Sequence, residues 1–347
     1  MLIDRIIKRG DTIPLIAFSG SAYECGRQYA ASTLRNYPAY AEYLKQAVTE
    51  WTSPAPEVAA LFNDRAPYIA DIYRGMLEVL RDKLFLSRCQ KQYVNREECT
   101  SYSLAPGHCA GSEPISGQTK DTHVDRLQYY TVLRLRLSDG PTILVLAYPG
   151  EVLGYGLWSN GNTLFRNDLK SQEGNKGALS ATQFGLLALA SPDIAAMVEL
   201  AREYGVRGAG NFLFSDSKGD SVSVEFNAGG VDFVYPENGI LVHANHPLGE
   251  KTAAFEDYPD EAEKKNSRYR QEKFSELLYN NTGSFDRDRA FACMADHSAW
   301  PRGICRHIIG EREDECTTAA LVAEPAAGRL SICKGPACLN DYVTYSI

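Results

Sequence analysis

The order of elements in this chain predicts an α+β fold, a four-layer αββα sandwich with two antiparallel β-sheets packed face to face and helices on both outer surfaces. Three observations carry that expectation. A helical period dominates residues 20–90, the period switches to two at Cys99, and two further helical blocks interrupt the later strands. In the opening block the clearest stripe is Val58, Leu61, Phe62, Ile69, Ile72, Tyr73, Met76, Leu77, Leu80 and Leu84, one apolar face built from steps of three and four. Ser53 and Pro54 start this helix, and Glu57 adds negative charge to its first turn.

Beyond Cys99, Leu133, Leu135 and Leu137 alternate with Arg134 and Arg136, "SDG" supplies a turn and "TILVL" returns, which predicts a hairpin. A helical pair follows over 181–204, split by "SPD", with Ser191 as cap and Pro192 at the first helical position. Strands resume at "NFLFSD", "SVSVEF", "VDFVY" and "ILVHAN". Two more helices fit 267–280, capped by Asn266 or Ser267, and 285–295; the end reads as a hairpin turning near "PAAG". Length alone suggests about two domains of ~150 residues, although single sandwiches reach 347.

Composition excludes several classes. A net charge of −8 with scattered Lys and Arg argues against nucleic acid. The longest apolar runs, such as "PTILVLAY", fall short of the ~20 residues of a membrane helix. The N-terminus has no apolar core followed by a small-residue cleavage site, and "TYSI" at the other end has no lipidation or peroxisomal signal. Nine widely spaced cysteines fit reduced thiols in a cytoplasm better than a disulfide framework. Gly154, Gly156 and Gly161 lie in a hairpin and do not open a helix, so they are no dinucleotide fingerprint. His243, His246, Cys305 and His307 invite a metal reading. "HANH" and "CRH" are isolated pairs, however, and "CKGPAC" is wider than the usual paired spacing, so neither metal nor cofactor is expected.

Cys99 sits where the chain changes character, and polar motifs follow it: "ECTSY", "GQTKD", "GYGLWSNG", "HANHPL", "NSRYR" and "GICR". In this order they resemble the isopenicillin N acyltransferase-like branch of the N-terminal nucleophile hydrolases, which includes beta-alanyl amide hydrolases. The resemblance implies a precursor that cuts itself between Glu98 and Cys99. Residues 1–98, a helical pro-segment, become one subunit and residues 99–347 the other, together one integrated domain. Cys99 is then both nucleophile and base: an α-amino group has pKa ~7.7–8 against ~8.5 for a thiol, so the new amine can take the thiol proton. The resemblance further assigns Asn245 as oxyanion donor, Arg306 and Asp121 as charged members of the site, and Ser101 beside Glu98 and Cys99 as a processing residue.

The implied activity is hydrolysis of the amide of a small N-acyl compound, or acyl transfer to an amine, with an acyl thioester as the alternative donor. No cofactor, membrane or nucleic acid is involved, the two chains come from one precursor, and a homo-oligomer is compatible. Net charge and Asp121 suit a substrate bearing an amine. Three departures from the family pattern stand out. Glu98 precedes the cysteine, and adjacent carboxylates would raise the thiol pKa and slow self-cleavage. Thr119 and Lys120 replace Asn and Trp in the pocket wall, and "GHCAGSEP" is long enough to cover the site. The rival readings are a papain-like hydrolase pairing Cys99 with His243 or His246 in an uncut chain, and a non-catalytic binding module.

Overall fold

The computed structural model describes residues 9–80, 97–174, 176–308 and 314–347. In chain order the elements are β1 Leu15–Gly20, α1 Ala22–Asn36, α2 Ala41–Thr49, α3 Pro56–Arg65, α4 Pro67–Leu80, β2 Glu98–Leu104 and β3 Ile115–His123. Next come β4 Thr131–Leu137, β5 Thr142–Ala147, β6 Tyr155–Trp158, β7 Thr163–Asn167, β8 Leu179–Ser180, α5 Ala181–Ala190 and α6 Ile194–Tyr204. The remainder are β9 Val206–Arg207, β10 Gly210–Ser215, β11 Ser221–Asn227, β12 Gly230–Val234, β13 Ile240–His243, α7 Glu250–Ala253, α8 Glu261–Asn280, α9 Arg287–Met294, β14 Glu315–Glu324, β15 Arg329–Lys334 and β16 Tyr342–Ser346.

Two sheets result. Sheet I has eight strands in the order β1-β4-β5-β6-β7-β10-β11-β12, and sheet II has six in the order β13-β2-β3-β14-β15-β16. Three apolar clusters define the layers. Between the sheets, Val132, Leu144, Leu157 and Phe165 meet Leu321, Ala323, Leu330 and Ile332. On the outer face of sheet I, α1, α4, α5 and α6 bury Tyr29, Ile72, Phe184 and Met197 against Leu133, Leu135 and Phe212. On the outer face of sheet II, Phe274 and Leu278 of α8 and Phe291 and Met294 of α9 cover Tyr102 and Val322. This is the four-layer αββα arrangement the element order implied. One detail departs from it: β1 joins β4 in parallel, so sheet I is antiparallel except at that edge.

Several local expectations need correcting. The stripe from Val58 to Leu80 belongs to two helices, because Pro67 lacks an N–H and fixes its own φ, ending α3 and opening α4; Leu84 lies outside the described residues. Pro56, not Pro54, takes the first helical position. In the split pair, Ser191 closes α5, and Asp193 caps α6 by accepting from the Ala196 N–H at 2.8 Å. Helix α8 starts six residues before the expected 267, with Asp260 as cap and Glu261 and Glu263 in its first turn. Asn266 and Ser267 are thereby free to face the site from the helix's second turn. Among the described residues no helix is long and apolar enough to cross a membrane.

Candidate active site

Strand β2 is central in sheet II, flanked by β13 and β3, and buried along its whole length. Side chains alternate across a strand, so its two faces serve different ends. Cys99 shares one face with its cross-strand partner Lys120, and both are inaccessible to solvent. Glu98 and Thr100 share the other with Asp121, and look toward α8.

On the helix side, Arg270 is the hub. Its buried guanidinium donates to the Cys99 carbonyl at 2.6 Å, Thr100 Oγ1 at 2.8 Å, Asn245 Oδ1 at 2.8 Å and Glu98 Oε2 at 3.2 Å. Arg306 pairs with Glu98 Oε1 at 3.3 Å and Glu315 at 2.9 Å. Asn266 donates to Glu98 Oε2 at 2.9 Å. Burial alone would raise the Glu98 carboxyl, but the two guanidinium groups outweigh it and hold the group below the usual range. The same helical face sends Ser267 to the Asn245 N–H and Gln271 to the Ala244 N–H, fixing the "HAN" segment after β13.

Asn245 accepts a hydrogen bond from the Cys99 N–H at 3.0 Å, and its Nδ2 donates to the carbonyls of Asp168 at 2.7 Å and Glu97 at 3.4 Å. Its acceptor therefore already addresses the nitrogen that cleavage would turn into an amine. Its amide donor is engaged by both carbonyls. Asp121 accepts from Thr317 at 2.7 Å, while its second oxygen is buried without a hydrogen-bond partner among the described residues. Burial pushes its carboxyl up to about 6. A bulge in β14 between Thr317 and Ala319 aims Thr317 at Asp121 and lets Thr318 donate to the Lys120 carbonyl.

On the opposite face, Lys120 Nζ lies 2.5 Å from Glu97 Oε2 and 2.7 Å from Tyr155 OH. Burial disfavours both charges, but each stabilises the other: Glu97 is held low and Lys120 high. Burial also drives the Cys99 thiol up to about 12, with Lys120 opposing and Glu97 and Asp121 reinforcing the rise. The carboxylates that act on the sulfur are thus Glu97, two residues away on the same face, and Asp121. Glu98, expected to raise the thiol pKa, points to the other face and is neutralised by two arginines. Glu97 also borders a cleft of about 190 Å³ lined by Tyr155, Arg166, Asp168, Thr182 and Phe212. A larger hollow of about 530 Å³, walled by Arg202, Asp232 and Lys251, includes no residue of the Cys99 cluster.

The structure thus gathers Cys99, Glu98, Asn245, Asp121 and Arg306 at one end of β2. Ser101 is less engaged, with its hydroxyl directed at the His243 carbonyl at 3.4 Å. Arg270, Lys120 and Glu97 are additions. The sequence signal for Arg270 was its place four residues after Asn266 in "NSRYR", one helical turn on. The segment "GHCAGSEP" does not cover the site. It joins the far ends of β2 and β3, where Ala110 donates to the Phe285 carbonyl, five residues or ~17 Å along the strand from Cys99. His243 is held by Glu225 at 2.6 Å and by the Ala244 carbonyl, and His246 by Ser267 at 2.9 Å. Both ring nitrogens of His243 and the Nδ1 of His246 are thus engaged by neighbours, and these bonds do not involve Cys99.

Cys305 and His307 do not join His243 and His246, but folding brings them to His297 and Cys338, with all four ligand-type atoms within 4.8 Å of one another. These four residues come from three separate segments, which linear spacing does not reveal.

No curated protein matches the sequence. Among solved structures, a mutant form of conjugated bile acid hydrolase from Clostridium perfringens is similar at 10% identity and a TM-score of 0.46, over 72% of this chain and 97% of that one. Penicillin V acylase from Agrobacterium tumefaciens is similar at 12% identity and a TM-score of 0.36, over 72% and 78%. Likenesses this distant add no weight to the assignment, which rests on sequence. Residues 114–337, well over half of the chain, match the acyl-coenzyme A:6-aminopenicillanic acid acyl-transferase family, and the chain belongs to that family.

Proposed function

We propose that the chain is a self-processing cysteine amide hydrolase, with Cys99 as nucleophile and its own α-amine as base. The observation that supports this best is the Cys99 N–H held at 3.0 Å by Asn245 Oδ1, beside a thiol set in a buried polar cluster. Strand β13 pairs with β2 only as far as Ser101, so the buried Cys99 N–H finds its acceptor in a side chain and not in the ladder.

In processing, the Cys99 sulfur adds to the Glu98 carbonyl carbon, the Glu98–Cys99 C–N bond breaks, and the thiol proton passes to the leaving nitrogen, which becomes the new amine. Water then cleaves the resulting thioester, leaving a Glu98 carboxylate and a free thiol. Burial holds the thiol in its protonated form, which works against attack in this first step. In turnover, the amine takes the thiol proton while sulfur attacks the substrate amide, and returns it to the departing amine. Asn245 Nδ2, once freed from the Glu97 carbonyl, donates to the developing oxyanion. The acyl thioester then passes to water or to an acceptor amine. Hydrolysis is the favoured outcome; a thioester donor with an amine acceptor is the alternative.

The test is to mix the enzyme with a panel of N-acyl amides and acyl thioesters, quench in acid, and weigh the fragment that begins at Cys99. An acyl adduct on that peptide, absent in Cys99→Ala, is expected. Turnover that persists in Cys99→Ala overturns the reading.

A further inference from the structure

We propose that His297, Cys305, His307 and Cys338 form a closed zinc site that pins the segment carrying Arg306. The ligands come from the turn after α9, from the stretch before β14, and from the loop between β15 and β16.

The argument is geometric. A tetrahedral zinc with Zn–S near ~2.3 Å and Zn–N near ~2.05 Å fixes the edges of its ligand tetrahedron at about 3.8 Å for S···S, about 3.5 Å for S···N and about 3.3 Å for N···N. Here Cys305 Sγ and Cys338 Sγ are 3.7 Å apart, and His307 Nε2 lies 3.4 Å from Cys305 Sγ and 3.3 Å from Cys338 Sγ. The two imidazole nitrogens, His297 Nε2 and His307 Nε2, are 3.2 Å apart. Four of the six edges thus agree with the zinc tetrahedron to about 0.2 Å. Hydrogen bonding alone does not account for this, since an imidazole nitrogen has one in-plane bonding direction and His307 Nε2 has three such neighbours. One atom bound at the centre does. Two thiolates and two imidazoles in a tetrahedron suit Zn²⁺, and four protein ligands leave no open position, so the role is structural.

The consequence reaches the Cys99 cluster. Arg306 lies between two ligands, its N–H bound to Thr317 Oγ1 at 2.9 Å and its guanidinium paired with Glu98 and Glu315. Fixing Cys305 and His307 fixes the backbone on both sides of it. Trp300, its ring 4.6 Å from that of His307 and 5.3 Å from that of His297, lies against both imidazoles.

The experiment uses the full chain, purified without chelators or immobilised-metal resin. Elemental analysis is expected to find about one zinc per chain, and cobalt substitution to give intense visible bands with a thiolate-to-cobalt charge-transfer band. His297 and Cys338 are the exposed ligands, so His297→Gln and Cys338→Ser are the variants least able to unfold the chain. Each should bind zinc at least about 100-fold more weakly, since even outer-shell changes cost 10–100-fold. Chelator should lower the Tm of the parent chain and leave that of Cys338→Ser unchanged. A chain that is metal-free and takes up no zinc on titration overturns the proposal. So do undiminished zinc binding in both variants, or a Cys305–Cys338 disulfide in peptide maps of the purified protein.

Discussion

Replacing Arg270 with methionine tests whether the site is built on one buried guanidinium. The background is Cys99→Ala, which under the proposed processing keeps the chain uncut and makes stability the only readout. The substitution removes the donors to the Cys99 carbonyl, Thr100, Asn245 and Glu98, and leaves the Glu98 carboxylate with Arg306 and Asn266. Breaking a buried ion pair from one side costs ~3–5 kcal/mol, because the remaining charge stays desolvated. The methionine recovers part of the packing but none of the hydrogen bonds. A net loss of about 3–5 kcal/mol is therefore expected in urea unfolding, with an unchanged denaturant slope. Adding Glu98→Gln removes the carboxylate left with a single guanidinium, so the double variant should lose less than the sum of the two singles, by about 1–3 kcal/mol. A loss below about 1 kcal/mol, or strict additivity, would refute the idea that Arg270 and Glu98 act as a buried pair.

Other consequences are smaller in scope. Asn245→Ala should lower kcat/KM by about 10²–10³ in the cut enzyme, the usual cost of losing an oxyanion donor; a change under about threefold in steady-state assays would contradict its role. Lys120→Met should cost ~3–5 kcal/mol by stranding Glu97, and Glu97→Gln/Lys120→Met should recover most of that in urea titrations. Asp121 titrates near about 6 in the folded chain, against ~3.9 unfolded. The unfolded carboxyl loses its proton first, so the stability this group contributes is complete below ~3.9 and disappears as pH rises through about 6. Asp121→Asn removes that dependence. Measured by unfolding across this window, the variant should gain on its parent by up to ~3 kcal/mol as pH rises; a gap constant with pH would contradict the buried carboxyl.

Periodicity made the layers legible, because apolar faces must be covered and the switch at Cys99 marks where helix cover gives way to sheet. The ordered motifs brought out Cys99, Asp121, Asn245 and Arg306. What stayed hidden was which face of β2 each acidic neighbour would occupy. Glu97 and Glu98 are equivalent in a linear reading, and only the strand's alternation sends one to Lys120 and the other to Arg270 and Arg306. Helix ends misled for a related reason. Asn266 and Ser267 look like caps because short polar side chains suit caps, yet here they bind Glu98 and Asn245 across the site. The His297, Cys305, His307 and Cys338 group was illegible because ligand spacing reveals a site only where its ligands share a short segment, and this group is assembled by tertiary contact.

The central claim is that the working base is an amine created by opening the Glu98–Cys99 bond. The most direct measurement follows fragment masses and amide-cleaving activity together in one maturing sample. Activity should rise in proportion to the fraction of chain beginning at Cys99, while Cys99→Ala stays whole and inactive. Full activity in a sample that remains a continuous polypeptide would contradict the account.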